Sequence, residues 1–153
     1  MSMFRKVGMS LGGFFNVKDH TDAIAVLFEP KRSRTVPSKY KNAETGEFTK
    51  LAIDCDITIF DTKEQLLGKK EPTILEGATC TDTSPAKALA QAIDEKVLSK
   101  CTTVPNKNGG NPIPVIDDIT DSAIIQAVEE YVNKRDAELE KALAEDLPDF
   151  MKG

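Results

Sequence analysis

The ten residues Leu51–Phe60, LAIDCDITIF, constrain the fold of this chain more than any other stretch. Leu51, Ile53, Cys55, Ile57 and Ile59 fall on one side of an extended backbone, and Asp54, Asp56 and Thr58 on the other. Side chains alternate across a strand with a period of two, so the run predicts a strand with one face in a core and one facing water. Phe60 falls on the same face as Asp54 and Asp56.

The flanking sequence supplies further elements. Ala23–Phe28, AIAVLF, is a short apolar run closed by Pro30, which suits a buried strand. The segment 30–50 carries the turn residues Pro37 and Gly46 and reads as a long loop or ribbon. TILEGATCT is a further strand, which Gly77 is able to bend. Then the period changes. Ser84 as N-cap and Pro85 at the first helical position open a helix whose stripe is Leu89, Ile93 and Val97, extending to Lys100. CTTV and PIPVI around PNKNGGN form a hairpin with a glycine-rich tip, and Pro112 and Pro114 put its second strand at an edge. Thr120 or Asp121 caps a last helix with the stripe Ile124, Val128, Tyr131, Arg135, Leu139 and Ala142, ended by Pro148. About 25 residues at 1.5 Å each make it roughly 38 Å long.

This order, three strands, a helix, two strands and an added helix, predicts a mainly β fold: a five-stranded OB-like barrel plus a long C-terminal helix. The expected boundaries are an N-terminal arm at 1–20, the barrel at 21–120, the helix at 121–146 and a tail at 147–153. At 153 residues the chain is long enough to bury a core without metals or disulfides.

Charge is unevenly placed. The chain has 20 Lys+Arg against 25 Asp+Glu, yet residues 31–50 hold the cations Lys31, Arg32, Arg34, Lys39, Lys41 and Lys50 around Tyr40. Asp121–Gly153 is by contrast acidic. OB barrels bind oligonucleotides on the face of strands 2 and 3 and with the loops between strands 1–2 and 4–5. The basic segment would be the first of those loops and PNKNGGN, with Lys107, the second. Cations that track phosphates beside an aromatic that stacks on any base suit a single strand. Tyr40 is the preferred stacking platform and Phe60, on the open side of the sheet, the next.

AIAVLFEPKRS, IDCDITIFDT, EPTILEG, VPNKNGGNPIPVI and the terminal DLPDF together resemble OB-fold single-stranded-DNA-binding proteins of bacteriophages that infect actinobacteria, over about 130 residues from Asp22 onwards. The resemblance implies a non-enzymatic role in phage DNA replication and recombination. It also implies that an acidic tail with a hydrophobic residue, here Asp146, Leu147, Asp149 and Phe150, recruits replication or recombination proteins.

Other chemistry has weaker support. His20 stands alone in a polar KDHTD context and reads as an exposed loop histidine. Cys55, Cys80 and Cys101 have no zinc-ligand spacing and read as buried thiols of a reducing compartment. No nucleophile elbow or phosphate loop occurs. Asp54 and Asp56 share a strand face, but two-metal chemistry needs further acids converging on them. No cofactor or metal is expected. Neither a signal peptide nor a membrane span is read, so a cytoplasmic protein is expected, in the host cytoplasm if viral. The competing expectation is a protein-interaction or assembly module that docks through the C-terminal helix, which is also the candidate homodimer surface.

Overall fold

A computed structural model describes residues 9–11, 13–42 and 45–145. Its strands are β1 (Met9–Leu11), β2 (Phe14–Phe15), β3 (Ala25–Pro37), β4 (Thr49–Phe60), β5 (Thr73–Cys80), β6 (Val97–Val104) and β7 (Ile113–Asp118). Its helices are α1 (Lys63–Leu66), α2 (Thr83–Ala90) and α3 (Ser122–Glu145), with a 3-10 turn at Val17–His20. The strands form one sheet in the order β1-β5-β4-β3-β6-β7, and β2 also pairs with β5. The sheet curls into a half-barrel. The architecture is thus mainly β with a long C-terminal helix, but strand number and order differ from the five-stranded barrel expected from the sequence.

The alternation of β4 sorts its side chains as its sequence dictates. Ile53, Cys55, Ile57 and Ile59 enter the main core with Val26, Phe28, Cys101 and the α2 residues Ala86 and Leu89. Pairing with β3 runs from Ala25↔Phe60 to Pro37↔Thr49, so residues 31–37, expected as loop or ribbon, are strand. β6 covers β3 only at Val26–Phe28. Beyond Phe28 that edge is free of a strand neighbour, which is where Pro30 is tolerated, since a proline cannot donate to a ladder.

The predicted helix over 84–100 stops at Ala90. Asp94 sits at φ 67, a left-handed conformation that Asp tolerates better than most residues, and its amide donates to the Pro30 carbonyl at 2.9 Å. Ile93 still packs on the core, while β-branched Val97 opens β6. The helix begins one residue before Ser84, with Asp82 at the N-cap position and Pro85 inside the first turn. The Asp82 carboxylate accepts from the Val17 amide at 3.1 Å.

That bond belongs to a second departure. Residues 9–11 and 13–20, within the arm expected at 1–20, are part of the fold. β1 and β2 run parallel to β5, Phe15 and Val17 are buried in the core, and the 3-10 turn packs on β6 and β7. This strap ties the β5 side of the curled sheet to its β7 side. His20, expected in an exposed loop, stacks on Phe15 with ring centroids 4.6 Å apart.

The hairpin of β6 and β7 forms as the sequence indicates, with Gly109 and Gly110 in its tip at φ 80 and 88, and β7 at the sheet edge. α3 also follows expectation. Asp121 caps it, its Oδ1 accepting from the Ala123 amide at 2.9 Å. The first half of its expected stripe lies over the outer face of the sheet, where Val128, Tyr131 and Val132 join Ala25, Leu27, Phe60 and Leu66 in a second cluster, while Leu139 and Ala142 of that stripe are exposed. Among the described residues, no helix is long and apolar enough to cross a membrane.

Candidate nucleic-acid interface

Two interruptions of the sheet register build the cationic face. Glu29 pairs with Asp56 and Arg32 with Asp54, so β3 advances three residues while β4 advances two. Regular alternation would put Arg32 on the face opposite Glu29; the extra residue, Lys31, reverses that. Arg32 and Arg34 consequently share the outer face with Asp54. On the other side of β4, β5 gains a residue between Leu75↔Ile57 and Ala78↔Cys55. Gly77 occupies that bulge at φ 63, and its amide donates to Asp56 Oδ1 at 3.0 Å.

Asp54, with its side chain 14% exposed, is the centre of the cluster. Its Oδ2 accepts from Arg32 Nε at 2.6 Å and from Arg34 Nε at 2.9 Å. Its Oδ1 accepts from Arg34 Nη2 at 3.2 Å and from Thr79 Oγ1 at 2.8 Å. Arg34 Nη2 also reaches Thr79 Oγ1 at 3.4 Å. The Arg34 hydrogen bond is the main cause holding the Asp54 carboxyl far below the usual carboxylate range; partial burial opposes it, and Arg32 and Thr79 assist. The same bond and the Asp54 charge raise the Arg34 pKa. These residues border an open cleft of about 480 Å³, which Lys31, Gly13, Phe14 and Gly77 also line.

Other predicted residues continue this surface. Lys31 is the exposed bulge residue, and Lys50, opposite Val36, is exposed as well. Lys39, Tyr40 and Lys41 lie in the exposed connection between β3 and β4. Tyr40 is 78% exposed, its amide held by Ser38 Oγ at 3.2 Å, and Phe48 on the returning side is also exposed. Lys107 is exposed but does not join them. Val97 pairs with Phe28 and Ser99 with Val26, so β6 carries its hairpin tip toward the start of β3, away from the Lys39–Lys41 turn.

Phe60 requires a correction. It is wholly buried beneath α3, edge-on to Tyr131 with ring centroids 5.3 Å apart, and offers no surface to a base. Its face was read correctly; the helix covers that end of the face. Asp146, Leu147, Asp149 and Phe150 lie outside the described residues. Cys55, Cys80 and Cys101 are free and buried. Burial pushes the Cys101 thiol up to about 11, against the pull of Lys100. A hydrogen bond with Cys55, then burial, raises Cys80. Such thiols stay protonated and are poor nucleophiles.

Phe14 and Thr79 at the cleft were not anticipated. For Phe14 the only local signal is two residues of alternation, Phe14 outward and Phe15 inward. Comparison with protein-family models, curated proteins and solved structures found no match to this chain.

Proposed function

We propose that the protein binds single-stranded DNA without catalysis, on the outer face of β3, β4 and β5 and along the β3–β4 ribbon, in the replication or recombination of a bacteriophage. One observation carries this reading: the bulge at Lys31 turns Arg32 and Arg34 onto the face that leads to the exposed ring of Tyr40. Guanidiniums suit phosphate oxygens, and an exposed ring suits unpaired bases of any sequence. Leaving aside β1, β2 and α1, the succession β3, β4, β5, α2, β6, β7 follows the element order of an OB barrel, which supports the choice of surface. The acidic stretch that begins in α3 lies on a separate element, and tail residues Leu147 and Phe150 remain the proposed recruiting segment for replication proteins.

Fluorescence anisotropy of a labelled oligo-dT at several salt concentrations tests the reading. Binding weakens with salt, with a log–log slope near −0.7 per contacted phosphate, and combined Lys31→Ala and Arg32→Ala changes flatten the slope. Tyr40→Ala costs about 1–3 kcal/mol of affinity with no change in melting temperature. Unchanged affinity in folded variants would remove the assignment.

A second reading has its own observation. Leu139 and Leu143, one turn apart on α3, are 57% and 60% exposed, which suits docking of a partner helix or a second copy of the chain. Light scattering of the wild type and of a Leu139→Glu, Leu143→Glu variant distinguishes a dimer from a monomer.

A further inference from the structure

We infer that Phe14, Thr79, Asp54 and Arg32 form one nucleotide subsite, with a base stacked on the Phe14 ring and its phosphate on the Arg32 and Arg34 guanidiniums. The inference rests on the single-strand reading above and adds to it a residue from the N-terminal strap. Phe14 pairs with Thr79, Thr79 with Asp54, and Asp54 with Arg32. The four residues therefore stand in a single row across β2, β5, β4 and β3.

Neighbouring strands lie about 4.8 Å apart, which sets Phe14 and Arg32 roughly 14 Å apart at their backbones. The side chains close most of that gap. Arg34 reaches across β4 to Thr79, the immediate neighbour of Phe14, so cation and ring are separated by about one strand spacing. That interval is the scale of one nucleotide from base to phosphate.

Each member has a stated task. Phe14 is 68% exposed although its neighbour Phe15 is buried, and the Thr79 amide pins the preceding Gly13 carbonyl at 2.9 Å. The ring is thus offered to solvent from a fixed backbone. Asp54 holds both guanidiniums in place, so less rotamer entropy is lost when an anion arrives. Among the described residues, the terminal nitrogens of Arg32 and the Nη1 of Arg34 have no partner, leaving donors for phosphate oxygens. Both Asp54 oxygens are occupied and the guanidinium donors are taken by phosphate, so no charged side chain of the row is left to read a base edge. The subsite is sequence-tolerant.

The chain contains no tryptophan, which makes Phe14→Trp a single-site reporter. Titration with oligo-dT should quench its emission at the same midpoint as anisotropy of a labelled oligo-dT bound to that variant. Phe14→Ala should weaken binding about tenfold, for oligo-dT and oligo-dA alike, with an unchanged salt slope and melting temperature. An indole emission that stays constant at saturation overturns the subsite, and so does Phe14→Ala affinity within twofold of wild type. In either case the single-strand reading stands on the ribbon. A wild-type protein that binds no oligonucleotide overturns both.

Discussion

Arg135 of α3 holds Glu29 of β3 with both branches of its guanidinium, Nη1 to Oε1 at 2.6 Å and Nη2 to Oε2 at 3.3 Å. The pair joins elements 106 residues apart and stands where the outer face of β3 changes character. Before it, Ala25 and Leu27 lie under the helix; after it, Arg32 and Arg34 face the cleft. Burial disfavours the Arg135 charge, but the hydrogen bond and charge of Glu29, with Asp136, outweigh it and raise the Arg135 pKa.

Arg135→Met leaves the nearly buried Glu29 carboxylate without its partner and should cost about 1–3 kcal/mol in urea unfolding. Adding Glu29→Gln should recover much of the loss, because the remaining group is no longer charged. Equal stability of wild type and single variant would mean that α3 docks by its apolar stripe alone.

Phe60→Ala should destabilise the protein by about 3–5 kcal/mol, the cost of an emptied aromatic site in a core. The affinity of the folded variant for oligo-dT should stay within twofold of wild type. A stable variant with tenfold weaker binding would return Phe60 to the interface.

How far the sequence spoke depended on whether the information was local. β4 was legible because each of its core residues sits two apart from the next. The outer half of β3, residues 31–37, was not: it forms a ribbon beyond the core, water meets both its faces, and no apolar alternation marks it. Leu89, Ile93 and Val97 fit a helical stripe, yet only Leu89 is helical; the others reach the same core from a turn and a strand. Which end of an outer face α3 covers is a tertiary fact, and it decided Phe60. Phe14 needed the pairing of the strap with β5, a contact across 65 residues that no spacing announces.

Acid should separate Asp54→Asn from the wild type. The folded-state pKa of Asp54 is depressed, so its contribution to stability is full above the unfolded value, about 3.9, and is lost as pH falls through the folded value. The wild type should exceed Asp54→Asn in urea midpoint by a constant margin from pH 7 to about 5, and the margin should shrink below about pH 4. A margin independent of pH down to the acid transition would show that the ion pairs with Arg32 and Arg34 contribute nothing.

Deleting Lys31 should do little more harm to binding than substituting it. Without the extra residue β3 and β4 both advance two residues from Glu29↔Asp56 to Arg32↔Asp54, so strict alternation keeps residues 32 and 34 on the face of Asp54. The deletion variant and Lys31→Ala should each lose one phosphate contact and lower the salt slope by about 0.7. A loss of tenfold or more confined to the deletion variant would mean that the bulge itself shapes the binding surface.

The strap that carries Phe14 also sets an order of events during synthesis. Its seats are β5, complete at Cys80, and the β6–β7 hairpin, complete at Asp118. Ribosomes add about 5–20 residues per second, so the strap waits several seconds, with about 100 residues still to come after Phe15, before both of its seats exist. The strap is thus made before either of its seats. Throughout that interval its two adjacent aromatic rings have not met β5, and seating them both closes a loop and adds the strands β1 and β2 to the sheet.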